Sequence, residues 1–173
     1  MKSIPKEWVE KWNPCAGGLA EWDGNFDAEH ALNICLEKLS VYDVVWWVFH
    51  TLDNDIDRAR LIVFCAEICL PIINDTYKDD ETAMVIINAM KSWIDDPTDK
   101  NFGIVSGCTS SSNALVSKFP ARSKGRTAAR TIFLSIKSIL KPSMKISLHT
   151  IESAAKVYES ALTDIIDYWK TLI

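Results

Sequence analysis

Each of the three histidines has an acid three positions away: Asp27 with His30, His50 with Asp53, and His149 with Glu152. On a helix that spacing puts both groups on one face, the arrangement by which helical bundles present metal ligands. Gathered together, the pairs would form a metal centre able to activate water. The same residues also suit local roles, because Asp27 and Asp53 fit capping and turn positions and a histidine is favoured near a helix C-terminus. No E-x-x-H accompanies the pairs, so local structure is the expected role. Cys65 and Cys69 share a helical face too, yet no further ligands lie nearby in sequence, and both are expected to be buried thiols. Nucleotide-binding glycine loops, the nucleophile elbow, H-E-x-x-H and paired C-x-x-C are all missing from the sequence. No catalytic residue, metal or cofactor is therefore assigned, and the chain is expected not to be an enzyme.

Charge offers a different kind of chemistry. The formal net charge of −4 conceals a division: residues 1–99 carry 8 Lys/Arg and 19 Asp/Glu, residues 100–151 carry 9 and none, and residues 152–173 carry 2 and 4. Asymmetry of this size points to a charged partner. The basic candidates are Lys118, Arg122, Lys124, Arg126, Arg130 and Lys137, followed by Lys141 and Lys145. Such a cluster could hold an acidic protein surface or a nucleic-acid backbone, or it could neutralise the acidic half of its own chain. Only Phe119 and Phe133 interleave these cations, which is a poor platform for stacked bases. The acidic candidates are Asp53, Asp55, Asp57, Asp79, Asp80 and Glu81; they would suit a basic partner, or simply the N-termini of helices. Trp8 and Trp12, four apart, are candidates for an exposed aromatic stripe.

Elements must position these groups. Apolar residues recur at three- and four-residue spacing, which predicts an all-α fold of six or seven helices. A short helix is expected over 3–12, then a helix capped by Asn25 or Asp27 to about Leu39, and a nearly all-apolar segment over 42–52. The Asp53-Asn54-Asp55 turn should start a helix to about Asn74, kinked or ended near Leu70 by Pro71. Asp79-Asp80-Glu81 predicts the start of a helix to about Ile94. Residues 103–117, rich in Ser and Thr with two glycines, are left open between loop, weak helix and strand. Helices over 127–140 and 143–172 complete the chain.

The 173 residues fit one domain spanning 1–173, with an acidic half over 1–99 and a basic segment over 100–151. With 48% hydrophobic and 24% charged residues, disordered and low-complexity classes are excluded. The most apolar run, Leu61 to Ile73, would reach only about 20 Å as a helix, against about 30 Å for a bilayer core. No membrane association is expected. The N-terminus lacks the pattern of a signal peptide, and five scattered cysteines (Cys15, Cys35, Cys65, Cys69, Cys108) argue against a secreted disulfide framework. A cytoplasmic location follows as an expectation.

From Cys15 to Trp93 a further pattern emerges: Cys15, Trp22, Cys35, Asp43-Val44-Val45-Trp46-Trp47, Arg60 to Ala66 leading to Leu70-Pro71, then Ile86-Ile87 before Trp93. It resembles immunity protein family five of bacterial polymorphic toxin systems, small helical proteins also found in phages. The resemblance covers roughly residues 15–95 and rests on packing motifs. Beyond Pro97 the family tends toward Ala/Tyr-rich helices, whereas this chain is Ser/Lys-rich and basic. The resemblance implies a non-enzymatic inhibitor that binds a protein effector, either a toxin or a host defence component. Nucleic-acid binding by residues 118–145 is the alternative, and a metal-dependent helical enzyme using the His/acid pairs is the third.

Overall fold

The computed structural model describes residues 3–11, 16 and 26–173. It is an all-α bundle, as the periodicity predicts. The helices are α1 (Lys6–Lys11), α2 (Ala28–Lys38), α3 (Val41–His50), α4 (Asp55–Glu67), α5 (Leu70–Thr76), α6 (Thr82–Asp95), α7 (Asp99–Lys118), α8 (Lys124–Leu140), α9 (Met144–Ala155) and α10 (Ala161–Lys170). A two-residue antiparallel bridge joins β1 (Ser3–Ile4) to β2 (Phe26–Asp27). Trp12, Cys15, Trp22 and the alternative cap Asn25 lie outside the described residues, as does the side chain of Trp8.

Side-chain caps set many of the helix starts by accepting hydrogen bonds from otherwise orphaned amides. Asp27 accepts from the His30 amide at 2.8 Å, and Asn54 accepts from the Asp57 amide at 2.8 Å. Ser40 and Asp43 form a reciprocal capping box on α3. Asp80 accepts from the Thr82 amide at 3.0 Å at the start of α6. Pro71 does not kink a continuous helix. The chain breaks at Ile68–Cys69 and Pro71 enters the first turn of α5, where a missing N–H leaves nothing unsatisfied.

Residues 103–117, left open by the sequence, are helical throughout within α7. Thr98 caps the first turn, and Val105, Ser112 and Leu115 bury one face against α6 and α8. Tertiary packing here overrides weak intrinsic propensity. The helix expected over 143–172 is instead two. The chain turns at 156–160 between α9 and α10, with Val157 fully buried and the Tyr158 hydroxyl donating to Asp164 at 2.6 Å. The extra turn lets both halves bury an apolar face. Together these breaks raise the helix number above the six or seven expected.

α8 is the central element, packed against α4, α5, α6, α7 and α9. Its inward face alternates isoleucines (Ile132, Ile136, Ile139) with small residues (Ala128, Ala129, Ser135), which admits close approach from several sides. The buried hydroxyls are satisfied: Ser135 donates to the Thr131 carbonyl at 2.9 Å and lies 3.2 Å from the Ile62 carbonyl. α10 closes the bundle through Trp169, whose indole N–H donates to Thr51 at 2.9 Å, and through Tyr168, stacked on Phe64 at 4.2 Å.

Candidate functional site

The outward face of α8 carries the basic candidates. Arg126, Arg130, Phe133 and Lys137 follow one another at four-, three- and four-residue steps, so they form one stripe opposite the buried face. At 1.5 Å per residue the stripe is about 16 Å long. Arg130 is exposed, and the Lys137 ammonium lies 5.3 Å from the Phe133 ring centroid. Arg126 is half-buried and donates from Nη1 to the Phe119 carbonyl at 3.0 Å, so it also fastens the α7–α8 corner. Lys124 and Arg122 stand exposed where the helix begins, and Arg122 occupies a left-handed backbone conformation with φ of 65°. Lys141 and Lys145, both exposed, extend the positive field past the C-terminal end.

Among the described residues, no acidic side chain pairs with any of these seven cations. Moreover, Lys124 and Arg126 occupy the first turn of α8, which contains no acid. Cations there oppose the helix dipole, at a cost of about 0.3–1 kcal/mol each. Lys118 behaves differently. It forms an ion pair with Asp80, its ammonium lies 5.8 Å from the Tyr77 ring centroid, and its carbonyl accepts from the Tyr77 hydroxyl at 2.8 Å. The hydrogen bonds from Lys118 and Thr82 hold the Asp80 carboxyl down at about 2. Lys118 therefore ties α7 to the start of α6, and the other basic candidates remain the surface.

The six acidic candidates divide between two helix N-termini. Asp53, Asp55 and Asp57 flank the start of α4, where Asp55 pairs with Arg58 at 3.0 Å and Asp57 with Arg60 at 2.8 Å. Asp79, Asp80 and Glu81 precede α6. The two helices run antiparallel, since Lys91 near the end of α6 pairs with Glu67 at the end of α4 at 2.6 Å while Arg60 and Asp95 line one cleft. The two acidic groups thus belong to opposite ends of the pair, and most of their carboxylates have local partners.

The His/acid pairs do not assemble. Asp27 accepts from the backbone of His30, and Glu152 pairs with Lys156 at 2.6 Å while His149 stands off at 3.7 Å. His50 is buried against Trp46, with ring centroids 4.5 Å apart; burial and the nearby Arg58 charge push its pKa down to about 4. Among the described residues, no group of three or more His, Cys, Asp or Glu could hold a metal ion. Cys65 and Cys69 are fully buried, the Cys69 thiol lying 3.2 Å from the Cys65 carbonyl, and burial raises both thiols, Cys69 to about 12. Also among the described residues, no helix is long and apolar enough to cross a membrane.

Sequence reasoning missed a cleft in which Arg58 meets Trp93 and the start of α9. The available signal was Arg58 itself, the first cation after the run Asp53 to Asp57. No family model, no curated protein and no solved structure matches this chain.

Proposed function

We propose that the protein is a non-catalytic inhibitor that binds and blocks a protein effector through the basic outer face of α8, with Arg130 and Lys137 central and Arg122, Lys124 and Arg126 at one end. The observation that carries this reading is the stripe itself: cations aligned on one helix face, two of them against the dipole, with no acidic partner among the described residues. An arrangement that disfavours the isolated fold gains from an acidic partner, and aligned charge accelerates encounter and sets specificity. The resemblance of residues 15–95 to an immunity protein family points to a toxin or a host defence component as the effector, in the cytoplasm.

Charge reversal tests the reading. The wild-type protein and the Arg130→Glu/Lys137→Glu variant are immobilised and exposed to a bacterial lysate at low salt. The expected result is one acidic protein held by the wild type alone, released by salt, and inhibited in its own activity by stoichiometric wild-type protein. Retention of nucleic acid in its place supports the alternative, since Phe133 between the cations offers one stacking surface and phosphate binding weakens steeply with salt. Equal retention by both proteins counts against the stripe.

A further inference from the structure

The end of α3, the start of α4, Trp93 of α6 and the α8–α9 connection enclose a cleft of about 230 Å³. That is smaller than the roughly 300 Å³ at which drug-sized sites begin, and it suits an occupant of one ring or two fused rings. Phe49, Ile62, Trp93, Ile139 and Met144 make the walls largely apolar and partly aromatic. Against them stands one cation, Arg58. Its Nη1 donates to Asp55 at 3.0 Å and its Nη2 to the Leu52 carbonyl at 2.9 Å, while the buried Nε has no acceptor among the described residues. The Phe49 ring centroid lies 5.4 Å from the guanidinium. The Asp55 side chain is 94% exposed, so its pairing with Arg58 is weak and open to competition.

The guanidinium is tied through Nη2 to the Leu52 carbonyl and through Nη1 only to the exposed Asp55, so an anion entering the cleft can take the place of Asp55. A neutral apolar occupant would gain nothing from Arg58, and a cation would meet it charge to charge. A carboxylate supplies two acceptors in the plane of the guanidinium, a match that Arg makes better than any other side chain. The Arg58 charge already acts within this wall, since it contributes to holding the adjacent His50 neutral near pH 7. We infer that the cleft binds a small planar aromatic carboxylate, its ring against Phe49, Trp93 and Met144 and its carboxylate on Arg58. The cleft meets α8 on its buried face, at Ser138 and Ile139, and does not depend on the effector-binding reading.

Calorimetric titration of the full chain tests it with three probes: indole-3-acetate, its neutral isostere indole-3-acetamide, and acetate, which has the charge without the ring. Indole-3-acetate should bind at least about tenfold more tightly than either of the others. Arg58→Gln should bring the acid down to the affinity of the amide. Because Arg58 also holds the Leu52 carbonyl and its loss could unfold the chain, Met144→Glu provides a second variant. Met144 is half exposed at the first helical position of α9, so the fold should tolerate an acid there; losing its contact with the ring should weaken both probes, and the new charge should weaken the acid severalfold more than the amide. Equal binding of acid and amide overturns the assignment, as does an absence of saturation by about 5 mM. So does an acid affinity left unchanged by Met144→Glu or by a folded Arg58→Gln.

Discussion

A Cβ added at Gly125 would come within 2.3 Å of Phe119 Cδ1, a buried ring that caps the end of α7. The ring has no room to retreat, because Tyr77 packs edge-on against it at 5.0 Å and the Phe119 carbonyl is held by Arg126. Gly125→Ala should therefore destabilise the fold by about 1–3 kcal/mol, measured as a lower urea midpoint. Gly103 and Gly107 give the opposite expectation. Among the described residues a Cβ at either meets nothing within 4 Å, so Ala at each should stabilise α7 by about 0.5–1 kcal/mol in the same assay. In the sequence all three glycines look alike as punctuation. What separates them is a contact between residues six apart in chain order that only the corner geometry creates.

His50 supplies the prediction for pH. Its folded pKa of about 4 lies below the ordinary value of 6.5, so the unfolded chain takes up a proton first as pH falls. The stability this neutral histidine contributes is present above about pH 6.5 and is lost progressively down to about pH 4. From pH 7 to pH 5 the loss should be about 2 kcal/mol, and His50→Gln should flatten that part of the stability profile. A slope unchanged by the substitution would show that other groups control it. Asp80, held at about 2, begins to add its own loss only as pH drops below about 4.

Among elements, α10 is fastened in part by a buried hydrogen bond between residues far apart in sequence. Trp169 is fully buried and donates to Thr51, which in turn donates to the Trp47 carbonyl at 3.0 Å. Thr51→Val keeps the shape and strands the indole N–H, with an expected loss of about 1–3 kcal/mol in chemical denaturation. Most element starts were legible because Asp27, Asn54 and Asp79 to Glu81 announce helix N-termini through local chemistry. α7 was not, since its Ser- and Gly-rich stretch becomes helical only once α6 and α8 cover Val105 and Leu115. The break between α9 and α10 contains neither Gly nor Pro, so nothing local marks it. The basic candidates were legible as residue types. Their alignment on one face, and the diversion of Lys118 to Asp80, required the packed structure.

For the whole molecule, the charge division was plain from the sequence, but whether the two regions neutralise each other depended on which faces meet. Across the described residues they meet at Lys118–Asp80, while pairs such as Lys91–Glu67 and Lys170–Glu29 link elements independently of the basic stripe. Exposed pairs of this kind each contribute about 0–1 kcal/mol and are screened by salt. Raising NaCl from about 0.05 to 0.5 M should accordingly shift the unfolding free energy by less than about 1 kcal/mol, while partner binding by the stripe falls sharply. A large salt effect on unfolding itself would mean that the two regions chiefly stabilise one another.

The central position of α8 also bears on how the chain is made. Every helix from α4 to α7 buries part of its apolar face on residues 124–140, which leave the ribosome after all of them. A nascent chain ending near Lys118 would present Ile62, Ile73 and Leu115 on helices whose main packing partner is still unsynthesised. Synthesis of α8 should mark the moment at which the growing polypeptide stops being a client for chaperones, because one late helix closes several earlier surfaces at once.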